Sequence, residues 1–312
     1  MKKRVLAVID LGTNTFHLLI VKVEADGTYQ FIHRDRRAVM IGKGGINKGL
    51  ITKEAQGRAL AAIEAFSQTI KDYQIDEVHA TATSAFRNAS NQDEIVRLIK
   101  EKTGISVLVI DGEREAELIF MGVKEALTLD EENGLIMDIG GGSVELIICN
   151  ARQIHWKRSF EIGAQRLLDR FEIKDPISND NINELNAYFE QQLTELIQAA
   201  TMYQPQTLIG ASGTFDTFSD IYLARQQQKV VESDGELPLN YQSFLETHHA
   251  LTHKNRQERM QISGMIEMRV DMIVVASCLV QFIMQRLQIN KIRVSAYALK
   301  EGLLRQIIDQ QN

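Results

Sequence analysis

Two short segments carry the residue types of a phosphate site. Asp10-Leu11-Gly12-Thr13-Asn14-Thr15 precedes Leu18-Leu19-Ile20, and Asp138-Ile139-Gly140-Gly141-Gly142-Ser143 precedes Leu146-Ile147-Ile148. Both fit Asp-(Leu/Ile)-Gly-x-x-(Thr/Ser)-x-x-Leu-(Leu/Ile)-Ile, with an apolar stretch on each side. Each offers a carboxylate at a strand end, small residues that let backbone N–H groups approach an anion, and a hydroxyl. A phosphate and its metal ion need these groups. One copy alone could be an ordinary hairpin turn. Two in related form point to a duplicated unit whose twin turns face each other.

Three consecutive glycines cost chain entropy, so they mark a tight turn or a close backbone approach. Asp138 is placed to orient a metal-bound water, and Mg2+ suits a site of one or two carboxylates plus phosphate oxygens. Glu145 shares a strand face with Ser143 and is the second candidate metal carboxylate; a solvent-facing glutamate is the alternative. Gly210-Ala211-Ser212-Gly213-Thr214 is a third turn, between a strand and a helix, where a helix N-terminus can meet an anion.

The acidic run Glu113-Arg114-Glu115-Ala116-Glu117 is either ordinary helix-start chemistry or the source of a general base. Thr81-Ala82-Thr83-Ser84-Ala85-Phe86-Arg87 and Gly163-Ala164-Gln165-Arg166 each place an arginine after a strand, where it can pair with phosphate oxygens or simply be solvated. His249 and His253 stand four apart, but without the glutamate of a His-Glu-x-x-His arrangement a zinc site is not expected. The chain has no Gly-x-Ser-x-Gly elbow, Cys-x-x-Cys pair or Gly-Lys-(Ser/Thr) phosphate loop.

The elements that must position these residues follow from periodicity. Strands are expected at Arg4–Asp10, His17–Val23 and Thr28–Arg36, then a helix capped by Thr52 and running to about Tyr73. A strand Glu77–Thr83, a helix Asn91–Thr103 begun by an Asn91/Glu94 capping box, a strand Val107–Ile110 and a helix Glu113–Thr128 complete the first half. The second half repeats the order: strands Gly134–Ile139, Val144–Cys149 and Gln153–Glu161, helices Ala164–Phe171 and Asn181–Gln204, strand Thr207–Ala211 and another helix. Gln226–Leu239 reads as a surface loop, and helices fill much of 241–287. Strand Lys291–Ser295 and helix Ala298–Asp309 close the chain. Three strands followed by alternating helices and strands, twice over, predict an α/β duplication with a cleft between the halves. The expected domains are 1–125, with the C-terminal helix 298–312 packing back on it, and 126–297.

The 312 residues are enough for two cores. Net charge is −6, which argues against a nucleic-acid polymer as partner and leaves room only for a focused anion pocket. Cys149 and Cys278 lie in apolar runs and read as reduced, buried thiols. The apolar stretch after Met1-Lys2-Lys3-Arg4 ends at Asp10, too short for a signal peptide, and no run is long enough to span a membrane. A cytoplasmic location is expected.

With these motifs in this order, the chain resembles the exopolyphosphatase/guanosine pentaphosphate phosphohydrolase family of the actin–Hsp70–sugar kinase superfamily. The resemblance rests on Ala7–Thr15, Ala82–Arg87, Gly112–Ala116, Asp138–Glu145, Gly163–Leu167 and Gly210–Thr214. It implies duplicated ribonuclease H-like (actin-like ATPase) domains with an interdomain cleft. It also implies Mg2+-dependent release of terminal orthophosphate from inorganic polyphosphate, with guanosine pentaphosphate as the alternative substrate. The family's base maps onto Glu115, its metal-linked carboxylate onto Asp138, and its phosphate loops onto the turns at Asp10 and Gly140; Arg87 falls in its Thr-Ser-Ala-x-Arg segment. Arg114 stands where a second acidic residue is common, and Arg269-Val270-Asp271 and Lys300-Glu301-Gly302 replace Arg-Ala-Asp and Arg-Glu-Gly. Longer members continue into a helical region that grips polymers. Ending at Asn312, this chain reads as the short form, favouring short polyphosphates, and a homodimer would extend the polymer groove. A nucleotide-binding regulator without turnover and an ATP-dependent sugar kinase are the alternatives from other classes.

Overall fold

A computed structural model describes residues 4–75, 77–228 and 235–310. Residues 1–3 of the basic N-terminal tract, and 229–234 of the segment expected to be a surface loop, lie outside them. The chain runs β1 (Arg4–Leu11), β2 (Thr15–Val23), β3 (Tyr29–Ala38), α1 (Lys53–Asp72), β4 (Glu77–Ala82), α2 (Ser84–Arg87), α3 (Gln92–Thr103), β5 (Val107–Val109) and α4 (Gly112–Ala126). It continues through β6 (Gly134–Ile139), β7 (Val144–Cys149), β8 (Ile154–Phe160), α5 (Ala164–Arg170), α6 (Asn179–Gln192), α7 (Thr194–Tyr203), β9 (Thr207–Ala211) and α8 (Ser212–Arg225). Then come β10 (Glu236–Leu237), α9 (Tyr241–His253), α10 (Arg256–Met260), α11 (Met272–Arg286), β11 (Ile292–Ser295) and α12 (Leu299–Asp309). Two compact units result, Met1–Gly122 with Leu299–Asn312, and Val123–Ala298.

The first unit holds a sheet of order β3-β2-β1-β4-β5, and the second a sheet of order β10-β11-β9-β6-β7-β8. In each, a strand with aspartate as its penultimate residue pairs antiparallel with the next strand and parallel with a later one. Strands β8-β7-β6-β9-β11 thus repeat β3-β2-β1-β4-β5, the ribonuclease H-like order, and β10 is an added antiparallel edge. Alternation within strands decides which face meets the helices. Ala7, Ile9, Leu11, Phe16 and Leu18 form a core with Ile63 and Phe66 of α1 and Ile95 and Ile99 of α3. Leu135, Met137, Leu146 and Ile148 do the same with Phe215 of α8, Leu279 of α11 and Phe189 of α6. On the opposite face of the first sheet, α12 packs on β1 and β2. Among the described residues, no helix is long and apolar enough to cross a membrane.

Local chemistry explains where the elements depart from expectation. Thr52 caps α1, its hydroxyl accepting from Ala55 N–H (3.2 Å). Asn91 forms no capping box, because its side chain is taken by a more distant partner: Oδ1 accepts from Ile51 N–H (3.1 Å) and Nδ2 donates to Ile51 O (2.9 Å). The expected helix Asn181–Gln204 is two helices. At fully buried Leu193 the backbone leaves helical geometry (φ −98°, ψ 16°), so packing overrides a segment without Gly or Pro. Within the stretch read as a surface loop, Glu236 and Leu237 form the edge strand β10, pairing with Ser295 and Val294. Arg293 secures it with a two-pronged ion pair to Glu236 (2.7 and 2.8 Å).

Candidate phosphate site

The two hairpin turns are closed by the same bond. Gly12 N–H donates to Thr15 O (3.1 Å), and Gly140 N–H donates to Ser143 O (3.0 Å). Each turn then has its carbonyls taken on one side. In the second unit, Gly140 O accepts from Ala164 N–H (2.9 Å), and Gly141 O accepts from Gln165 (2.9 Å) and Arg166 (3.1 Å). Gly142 O accepts from Gly163 N–H (3.2 Å) and from Arg166 Nε (3.0 Å). The N-terminus of α5 is therefore satisfied by the turn. In a planar trans peptide, C=O and N–H point in opposite directions. The N–H groups of Gly141, Gly142 and Ser143 must then point away from α5, and none has a backbone acceptor among the described residues. Such a run of convergent amides is an anion-binding nest.

The glycines answer to close approach rather than to a left-handed turn, since none of Gly140, Gly141 or Gly142 has a positive φ. A Cβ on Gly163 would lie 2.5 Å from the backbone of Gly141 and Gly142, so this meeting of turn and helix requires glycine. Arg166 braces the carbonyl side of the turn, with Nη2 also donating to Glu161 (2.7 Å). In the first unit, Asn14 O accepts from Val39 and Met40 N–H (both 2.9 Å), and Thr13 O from Gly42 N–H (3.4 Å). The same peptide geometry turns the Asn14 and Thr15 amides the other way. Thr13, Asn14 and Thr15 are all buried.

Asp138 sits directly across the antiparallel ladder from Glu145, so both carboxylates project from one sheet face. They are 6% and 1% exposed, which rules out the solvent-facing alternative for Glu145. Ser212 Oγ donates to Asp138 Oδ2 (2.6 Å) and Ser159 Oγ to Glu145 Oε1 (2.6 Å). Ser212 makes its bond from a left-handed backbone (φ 65°), strain of the kind that clusters at functional positions. Thr214 Oγ1 ties the third turn to Ile139 O (3.2 Å). Gly210 leaves room for the Phe215 ring, and Gly213 for the Arg269 guanidinium, which lies against it. Arg269 is thereby placed at the start of α8. Neither it nor the 39–42 backbone was singled out as a site element from sequence, although the cluster Gly42, Gly44 and Gly45 was a signal for the latter.

Glu115 projects from the first turn of α4 and is 7% exposed. Arg87 Nη1 donates to its Oε2 (2.9 Å) and to Ile110 O (3.1 Å), so a buried carboxylate has a partly buried counter-charge. Thr83 and Ser84 are also buried, and Thr83 N–H reaches Leu11 O at the end of β1 (3.4 Å). Arg114 turns to its own surroundings, bonding Glu117 (2.7 Å) and Gln306. The first unit thus joins Asp10, Thr83, Ser84, Arg87 and Glu115 through adjoining strand ends and α4. The second joins Asp138, Gly140–Ser143, Glu145, Arg166 and the 210–214 turn.

Among the described residues, no three carboxylate, imidazole or thiol side chains converge as a ready-made metal cage. The paired hard oxygen donors Asp138 and Glu145 instead suit Mg2+, which keeps waters and takes phosphate oxygens as ligands.

A repeated ribonuclease H-like unit bearing a phosphate-type hairpin in each copy defines the structural class. Residues 19–311 match the Ppx/GppA phosphatase family, and the chain belongs to it. An exopolyphosphatase from Cytophaga hutchinsonii is 44% identical, with a TM-score of 0.95 and 98% of both chains covered. An exopolyphosphatase-like protein is 25% identical, with a TM-score of 0.87 over 100% of this chain and 99% of its own. A guanosine-5'-triphosphate,3'-diphosphate pyrophosphatase from Aliivibrio fischeri is 28% identical over 97% of this chain. The chain spans 59% of the length of that curated relative.

Proposed function

We propose that this protein hydrolyses phosphoanhydrides from their ends, releasing orthophosphate from inorganic polyphosphate, with guanosine pentaphosphate as the alternative substrate. The observation that carries this reading is the Gly140–Ser143 turn. With its carbonyls occupied by α5, its amides are held ready for an anion at no cost in reorganisation. The 44% identity to an exopolyphosphatase over nearly its whole length favours polyphosphate as first choice.

Glu115 is the general base of this reading. Arg87 Nη1 donates to its Oε2 and so positions the side chain that takes a proton from water. Turn amides of each hairpin, Ser212, Thr214, Thr83 and Ser84 bind phosphoryl oxygens, with Arg87 in the first unit and Arg166 and Arg269 in the second as the cations of the site. Asp138 and Glu145 would hold Mg2+, which when bound neutralises charge on the phosphate chain. The helix N-terminus of α8 adds a fixed positive dipole beside the third turn. The protein works in the cytoplasm on this reading.

Orthophosphate release with Mg2+ should be measured from polyphosphates of graded length, with guanosine pentaphosphate alongside. The expected result is turnover of short polyphosphates, lost on Glu115→Gln without loss of fold. No release from any phosphoanhydride would reject the hydrolase reading in favour of a binding protein. Turnover of guanosine pentaphosphate alone would move the assignment to the alternative.

A further inference from the structure

The face of the first sheet opposite its helical core carries a cavity of about 410 Å³, framed by β4, β5, α4 and α12. Helices α4 and α12 cross tightly beside it, since a Cβ on Gly302 would fall 1.7 Å from Leu118 O. The volume lies within the ~300–1,000 Å³ of ordinary small-molecule sites. Its walls combine apolar Leu108, Leu118 and Leu303 with polar His79, Thr81 and Arg114.

Three features describe what would fit. Thr81 is 3% exposed, and its hydroxyl has no hydrogen-bond partner among the described residues. Alternation along β4 puts it on the cavity side with His79, while Ala80 and Ala82 face the core. A buried hydroxyl without a partner is unfavourable, and a polar ligand atom would relieve it. Next, the charge at Arg114 is offset by Glu117 at 2.7 Å, and no carboxylate lines the cavity. The cavity thus selects neither a polyanion nor a cation. Its second polar contact is the amide of Gln306, whose Oε1 accepts from Arg114 and whose nitrogen remains a donor. Finally, Leu108 is 65% exposed, so one apolar wall is open to be covered.

We propose that this cavity binds an uncharged heterocycle of nucleoside size, with apolar faces against Leu108 and Leu118 and a hydrogen-bonding edge toward Thr81 and Gln306. A purine nucleoside is the class that matches. Thr81 pairs across the β1–β4 ladder with Asp10 of the phosphate site, so competition by tripolyphosphate tells the two sites apart, and binding is read without turnover. Guanosine, adenosine and uridine should be titrated by calorimetry against the full chain and against Thr81→Val and Leu108→Trp, with tripolyphosphate as competitor. At least one purine nucleoside is expected to bind with Kd below about 1 mM. Thr81→Val should weaken it by roughly three- to tenfold, the worth of one hydrogen bond. Leu108→Trp, a change at an exposed position, should abolish it, and tripolyphosphate should not displace it. Absence of saturable nucleoside binding, binding unchanged in both variants, or displacement by tripolyphosphate would each overturn the proposal.

Discussion

Gly163 stands where the glycine turn meets the first residues of α5, and an alanine there has a worked consequence. Its Cβ would lie 2.5 Å from Gly141 C and O and from Gly142 C, all backbone atoms that cannot rotate aside. Carbon atoms in favourable contact are about 3.5–4.0 Å apart, so turn and helix must separate by about 1 Å. The backbone of Gly163 (φ −62°, ψ 160°) is ordinary for alanine, so the effect comes from overlap and not from conformational preference. Overpacking of this kind costs about 1–3 kcal/mol, and that lowers Tm by roughly 2–10 °C for a unit of this size. The functional loss should be larger in proportion. A shift of about 1 Å in a positioning element costs on the order of 10²-fold in rate. Orthophosphate release from tripolyphosphate and a thermal melt on Gly163→Ala measure both. Gly57→Ala is the control: nothing lies within 4 Å of that Cβ, mid-helix in α1, so the variant should gain up to about 1 kcal/mol and keep its turnover. Wild-type turnover and melting in Gly163→Ala would refute the claim that the α5 contacts set the turn.

Other expectations follow the same geometry. Arg87→Met strips the counter-charge from a carboxylate buried at 2.9 Å from it, and should destabilise the fold by about 3 kcal/mol in urea titration. Ser212→Gly exchanges relief of left-handed strain, about 1–2 kcal/mol, for the lost bond to Asp138, about 1 kcal/mol. Stability should change little while turnover falls, a split that Tm and kinetics together reveal. Burial, with lesser contributions from His249 and His253, pushes the His248 imidazole down to about 4. Because the folded value lies below the unfolded one near 6.5, the unfolded chain binds the extra proton between these values. Stability is therefore intact above about pH 6.5 and falls as pH drops toward 4, by on the order of 2–3 kcal/mol. Replacing His248 by glutamine should flatten that part of the urea-derived stability profile.

The twin hairpins were legible in the sequence because strand alternation and turn chemistry are local signals. So were the strands bearing Asp10 and Asp138, and the capping of α1 by Thr52. What escaped depended on distant partners. Asn91 has the spacing of a capping box, yet Ile51, far along the chain, takes its side chain. Glu236 and Leu237 are strand only because β11 offers an edge and Arg293 a fork. Three glycines signalled a close approach but could not say that Gly163 is the other party. Arg87 read as a free phosphate ligand, whereas its bond to Glu115 requires β4 and α4 to be placed first. Arg269 carried no local signal of its contact with Gly213, because that packing exists only in the assembled second unit.

The proposed hydrolysis turns on Glu115. Single-turnover release of orthophosphate from a short polyphosphate, with substrate affinity measured in parallel, should be compared between the natural protein and Glu115→Gln. The expected result is a rate lower by about 10²–10⁴-fold at nearly unchanged affinity and Tm. A variant that cleaves at close to the natural rate would contradict it.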